Sequence, residues 1–159
     1  MGLKKARGGH SISNAKTKLM QLGEMPAVLD EELRALALEM RDTAVNMAPT
    51  YTNALRESIT YTRQGGQRNA KGQFFKGGLG MHVVELKHKK PYFAHVHSNM
   101  KVGRTGERNY EPSEKSVAAA AEAGEIAGGL FMERAMQKYT PIIAARLAAS
   151  AQKFIKTKF

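Results

Sequence analysis

The chain has 159 residues, no cysteine, 42% apolar residues and a formal net charge of +11. A chain of this length buries about 70% of its unfolded surface, enough for one core without staples, and the lack of cysteine excludes disulfide scaffolds, thiolate zinc sites and thiol nucleophiles. No run of about 18 apolar residues is present, and no apolar stretch follows the basic start Met1-Gly-Leu-Lys-Lys-Ala-Arg, so neither a membrane span nor secretory export is expected.

Residues 1–24 are rich in Gly, Lys and Ser at the start, with Ile12, Leu19 and Leu22 as scattered apolar positions; they read as a flexible basic arm. Residues 25–159 read as a single domain. Pro26 suits the first turn of a helix, and Leu29, Leu33, Leu36, Met40, Ala44 and Met47 recur at helical spacing. Asp30, Glu31 and Glu32 are expected in the first turn or two, where the helix dipole favours acids. Pro49 cannot donate to the helical ladder and pushes Ala48 out of the α region. Thr52 and Asn53 suit a cap on the following turn, and Ser58-Ile-Thr-Tyr-Thr62 alternates like a half-buried strand.

Between Arg63 and Gly80 lie Arg63, Arg68, Lys71 and Lys76, interleaved with glycines and the pair Phe74-Phe75. A loop of this length is usually functional. Two readings stand level: a loop that reaches a partner through Phe74 and Phe75, and a hairpin whose two Phe residues fold back on the core. The Gly-x-x-Gly spacings lack the Gly-Lys-Ser/Thr ending of a phosphate loop. Met81–Lys87 and Pro91–His97 read as two strands joined by a basic turn, so that the sheet has at least three antiparallel strands. His95 and His97 project to one side of the second strand, and would need a third ligand such as Glu85 to hold a metal; packing histidines are the preferred reading.

Residues 98–112 return to loop chemistry, with Lys101, Arg104 and Arg108 as a second group of basic contacts. Ser113 is placed to cap a short alanine-rich helix through Val117–Ala123. Gly128 and Gly129 break the chain, and a last helical region runs from Leu130, with Thr140-Pro141 marking a kink or a fresh start. Two long helices and a small antiparallel sheet make an α+β fold, with the helices across one sheet face.

The charge is unevenly placed: +4 in residues 1–24, −3 in 25–48, +6 in 63–91 and +4 in 139–159, the rest summing to zero. Such basic stretches attract polyanions, without sequence preference when the contact is to phosphate. The candidate contacts to DNA or to a partner protein are Arg63, Arg68, Lys71, Phe74, Phe75, Lys76, Lys101, Arg104 and Arg108. No His-Glu-x-x-His or Gly-x-Ser-x-Gly is present, so no enzyme chemistry, cofactor or metal is expected.

Met47-Ala-Pro-Thr-Tyr-Thr-Asn-Ala-Leu-Arg-Glu-Ser-Ile-Thr60 resembles the signature of the tail-completion or head-tail joining (neck) proteins of long-tailed bacteriophages, an alanine-proline pair followed by Thr-x-x-Leu-Arg-x-Ser-Ile. Pro91-Tyr-Phe-Ala-His-Val-His97 is similar to that family's Tyr-Ala-x-x-Val strand. Leu130-Phe-Met-Glu-Arg-Ala135, with Pro141-Ile-Ile143, is similar to its final Phe-Leu/Met-x-x-Ala helix and Pro-x-Ile. The match covers roughly residues 28 to 155, with two departures: His97 stands where the family carries an acid, and 98–129 is longer than usual. The resemblance implies a structural virion protein, assembled in the host cytoplasm, whose copies close into a sixfold ring (twelvefold being the rival) between connector or stopper and tail-tube proteins, around the DNA passage. The contrasting expectation is a small basic nucleic-acid-binding protein that forms no ring.

Overall fold

The computed structural model describes residues 17–50, 53–65, 79–87, 96–98, 100–102 and 110–159. Its elements are α1 (Met25–Met47), α2 (Asn53–Glu57), β1 (Ile59–Gln64), β2 (Met81–Leu86), α3 (Glu114–Glu122) and α4 (Phe131–Lys158). Long N- and C-terminal helices with a two-stranded antiparallel sheet give an α+β fold. Of the basic arm, residues 17–22 are helical and precede α1 through a turn at Gly23-Glu24.

α1 begins with Pro26 at its first positions and stops where Ala48 turns extended, at ψ 139°, as the residue before a proline must. Arg56 then holds that stop in place, its Nε and Nη2 donating to the Ala48 carbonyl at 3.2 and 3.1 Å. Burial pushes the Arg56 guanidinium below its usual pKa. Ser113 caps α3 as expected, accepting from the Ser116 N–H. Ser116, wholly buried, accepts in turn from the Thr50 N–H at 2.9 Å, which ties α3 to the end of α1.

α1 and α4 run antiparallel, and the pairing order shows it: Glu24 meets Lys158, Glu32 meets Arg146 and Ser150, and Thr43 meets Tyr139. Arg146 bridges two turns of α1, with Nε on Glu32 and Nη1 on Glu39, both at 2.7 Å. One face of the sheet, bearing Ile59, Tyr61, Arg63, His82, Val84 and Leu86, shares the cross-strand pairs Ile59↔Leu86, Tyr61↔Val84 and Arg63↔His82. α1 lies against both strands and α4 packs on α1. The core cluster is Ala44, Met47, Ala48, Leu55, Ile59, Phe131 and Ala135, with Val84, Leu86, Val96 and Met132 around it. The small side chains Ala44, Ala48 and Ala135 leave room for the Phe131 ring, which is completely buried.

Two expectations are corrected. The strand predicted for 91–97 is helical where it is described, at 96–98, while 91–95 lie outside the described residues. The Met100 N–H closes a turn on the Val96 carbonyl at 3.2 Å. That turn delivers Val96 to the core, so its apolar character reflects tertiary packing rather than a strand period. Among the described residues the sheet therefore has two strands, β1 and β2. Of the two readings of Thr140-Pro141, a kink or a fresh start, the fresh start is removed, since α4 runs through Pro141; the Thr140 hydroxyl donates to the Met136 carbonyl at 2.8 Å.

Asp30 and Glu31 fall in the second turn of α1 and Glu32 at its end, within the first turn or two expected, while the first turn itself carries no acid. Their work is done through side-chain pairs: Asp30 with the hairpin, Glu32 with α4, and Glu31 with Arg34 in an exposed pair.

Truncating Phe131 to Ala should remove about 3–5 kcal/mol of stability, because the small residues around the ring have no side-chain atoms with which to fill the cavity. Urea unfolding followed by circular dichroism should show this as a lower midpoint with an unchanged slope; a midpoint within error of wild type would contradict the core assignment.

Candidate functional site

The basic segments singled out in the sequence leave the body from fixed roots. The segment 66–78 joins β1 to β2 and departs beyond the last ladder pair, Gln64↔Met81. The segment 88–95 departs from the other end of β2, roughly 20 Å away for a strand of this length, after Lys87 donates its N–H to the Ser58 carbonyl at 2.8 Å. The ends of 103–109 are drawn together by Lys101 N–H donating to the Tyr110 carbonyl at 2.7 Å and by the bridge between Met100 and Tyr110.

Asp30 holds the root of the hairpin. Its Oδ1 accepts from the Gly80 N–H at 2.7 Å and lies 3.0 Å from His82 Nε2, while Oδ2 lies 2.9 Å from Arg63 Nη2. A carboxylate only accepts, so Nε2 carries the hydrogen, and the Tyr61 hydroxyl meets Nδ1 at 2.7 Å. The Tyr61 and His82 rings are stacked 5.9 Å apart, and His82 has only 5% of its side chain exposed. Burial alone would raise the Asp30 pKa, but the Gly80 N–H, His82 and Arg63 together outweigh it and hold the carboxyl below its ordinary 3.8. Burial pushes the Tyr61 phenol up, which keeps its proton in place. A Cβ on Gly80 would stand 2.6 Å from Arg63 Nε, so any larger residue there would have to push the Arg63 side chain aside.

A second junction lies before α4. Three successive N–H groups, of Gly128, Gly129 and Leu130, donate to the carbonyls of Met47, Lys101 and His97 at 3.0, 3.2 and 2.7 Å. The last residue of α1, residue 101 and the 96–98 turn therefore converge on one loop. Gly128, at φ +144°, is the only residue type that fits, since a Cβ there would stand 2.1 Å from the Lys101 carbonyl oxygen. Leu130 adopts the left-handed conformation at φ +52°. His97 sits edge-on to Phe131, ring centroids 4.6 Å apart, with Nε2 2.7 Å from Glu133 Oε2.

Of the candidate contacts, Arg63 is paired with Asp30 and turned toward α1, and Lys101 is paired with Glu111 at 3.0 Å. Arg68, Lys71, Phe74, Phe75, Lys76, Arg104 and Arg108 lie outside the described residues, so the choice between a partner-reaching loop and folded-back Phe residues stays open. His95 also lies outside them. Glu85 is near Lys87, and no cluster suited to a metal occurs among the described residues. The Asp30–His82–Tyr61 chain was not anticipated from sequence; the inward positions of Tyr61 and His82 on their strands were the one available signal.

The described residues hold 14 of the 25 Lys and Arg and 13 of the 14 Asp and Glu, a net +1; the remaining segments hold eleven bases and one acid, a net +10. Within the described part the bases are largely spent on internal partners, including Lys138 on Glu125, which raises the lysine pKa.

Asp30→Asn should lower stability at pH 7 by about 2 kcal/mol, since Arg63 and His82 lose their anionic partner. Because the folded-state pKa is depressed, the wild-type advantage is complete above pH 3.8 and should vanish as pH falls through the lower folded value. Paired urea titrations from pH 7 to pH 2 test this; an advantage that is constant with pH would contradict the assignment. No known protein-family model matches the chain, and no curated protein or solved structure does so either.

Proposed function

We propose that this chain is a structural protein of the bacteriophage neck, closing with copies of itself into a ring that joins head to tail around the DNA passage. Its role is stoichiometric rather than catalytic: a head-to-tail contact whose rotation closes generates a cyclic ring, sixfold in this reading and twelvefold in the rival one. The ring then meets the connector or stopper on one side and the tail tube on the other.

The observation that carries the reading is the meeting of the three motif segments. Met47, Ala48, Leu55 and Ile59 of the first, Val96 of the second, and Phe131 and Ala135 of the third lie in or against one cluster, so residues of all three segments depend on each other for packing, although the second is helical at 96–98 where the family's motif is a strand. The division of charge supports the rest of the proposal. The concentration of Lys and Arg in residues 1–24 and 63–91, net +4 and +6, suits contacts to phosphates or to acidic partner surfaces.

Replacing residues 66–78 by a two-residue Gly-Ser linker should leave the body folded, because the ladder already closes at Gln64↔Met81. Purified wild-type protein added to heads and tails that lack it should produce joined particles, and the shortened variant should not. Normal joining by the shortened variant removes the loop from the mechanism. Failure of the wild type, together with salt-sensitive binding of free DNA by a monomer, favours the simple nucleic-acid-binding reading instead.

A further inference from the structure

One end of the molecule carries more apolar surface than solvation requires. Leu19, Met20 and Leu22 in the helical stretch 17–22 are 68%, 69% and 42% exposed, and on the last turns of α4 Ile155 and Phe159 are 43% and 48% exposed. Two contacts hold these pieces side by side: Lys18 Nζ lies 5.8 Å from the Phe159 ring centroid, and Lys158 Nζ lies 3.0 Å from Glu24 Oε2. The stretch 17–22 thus lies beside the last turns of α4. Beside it, an open groove of about 610 Å³ runs between α1 and α4, lined by Ala27, Val28, Ala35 and Phe154 with Glu31 and Lys153 among its charged residues.

We infer that this end is where one copy of the chain meets the next, Leu19, Met20 and Leu22 of one copy seating in the α1–α4 groove of its neighbour. This deepens the assembly reading, and rests on it for self-association being part of the function. The charges around the groove favour a second copy over other occupants. Glu31 is joined only to Arg34 in an exposed pair, and Lys153 and Lys156 have no acidic partner among the described residues. A neighbouring copy supplies both signs and can pair with both. A nucleic acid or an anionic lipid surface would press against Glu24, Glu31 and Glu32. An isolated monomer would leave a knob of three large apolar side chains and an adjoining groove both in water.

Sedimentation velocity over a range of concentrations tests this with three proteins: wild type, the double variant Leu19→Asp/Met20→Asp, and Met136→Asp. Met136 is 55% exposed nearer the other end of α4. All three substituted side chains are exposed, so thermal melts of the monomers should coincide. The double variant should weaken association on the order of a hundredfold or more, with Met136→Asp associating like wild type. Undiminished association by the double variant, or its loss in Met136→Asp alone, overturns the inference and leaves the assembly reading standing. A wild type that forms only a twofold dimer, lost in the double variant, and fails to join heads to tails keeps the inference and overturns the ring. A wild type that is monomeric at every concentration overturns both.

Discussion

The carboxylate of Asp30 gathers three donors from the hairpin, the Gly80 N–H, the His82 imidazole and the Arg63 guanidinium. Taking a carboxylate and a guanidinium partly out of water costs several kcal/mol per ion, and only a set of well-placed hydrogen bonds offsets it. The contact is therefore unforgiving. It sets which face of β1 and β2 meets α1, since a shift of one residue would turn Arg63 and His82 away and bring Thr62 and Val83 inward. With the sheet fixed on α1, Ile59, Val84 and Leu86 reach the cluster around Phe131.

The second constraint is steric. The loop before α4 spends three adjacent N–H groups on three separate segments, and it can do so only because Gly128 lets the Lys101 carbonyl come close. Phe131 follows at once, fully buried among alanines. The junction before α4 thus depends on a missing side chain and the root of the hairpin on a charge. Both are local features whose effect is to hold the roots of chain segments that carry nearly all of the net positive charge.

The two long helices were readable from residues alone, because Leu36, Ala44 and Met47 keep helical spacing and Pro26 and Pro49 mark the ends. The Ser113 cap was readable for the same reason, as its hydrogen bond reaches only three residues along the chain. What escaped the sequence depends on distant partners. Val96 shares alternation with Tyr92 and Ala94, yet it is half-buried against the core by a turn whose place is set by Leu130, more than thirty residues away. Arg63 reads like any other basic loop residue until Asp30, in another element, is seen beside it. The β1–β2 hairpin was one of two open readings of residues 63–80, and the contact of Asp30 with Gly80, His82 and Arg63 is what holds it on α1; the further strand expected at 91–97 is helical at 96–98.

The account predicts a particular state of one histidine. In a long-range nitrogen–proton NMR spectrum of the protein near pH 7, His82 should show a slowly exchanging hydrogen on Nε2, held by Asp30 and shielded from water. Nδ1 should face the Tyr61 hydroxyl. A His82 whose Nε2 hydrogen exchanges as fast as that of a solvent-exposed imidazole would contradict the anchoring of the hairpin on which the rest of the structure depends.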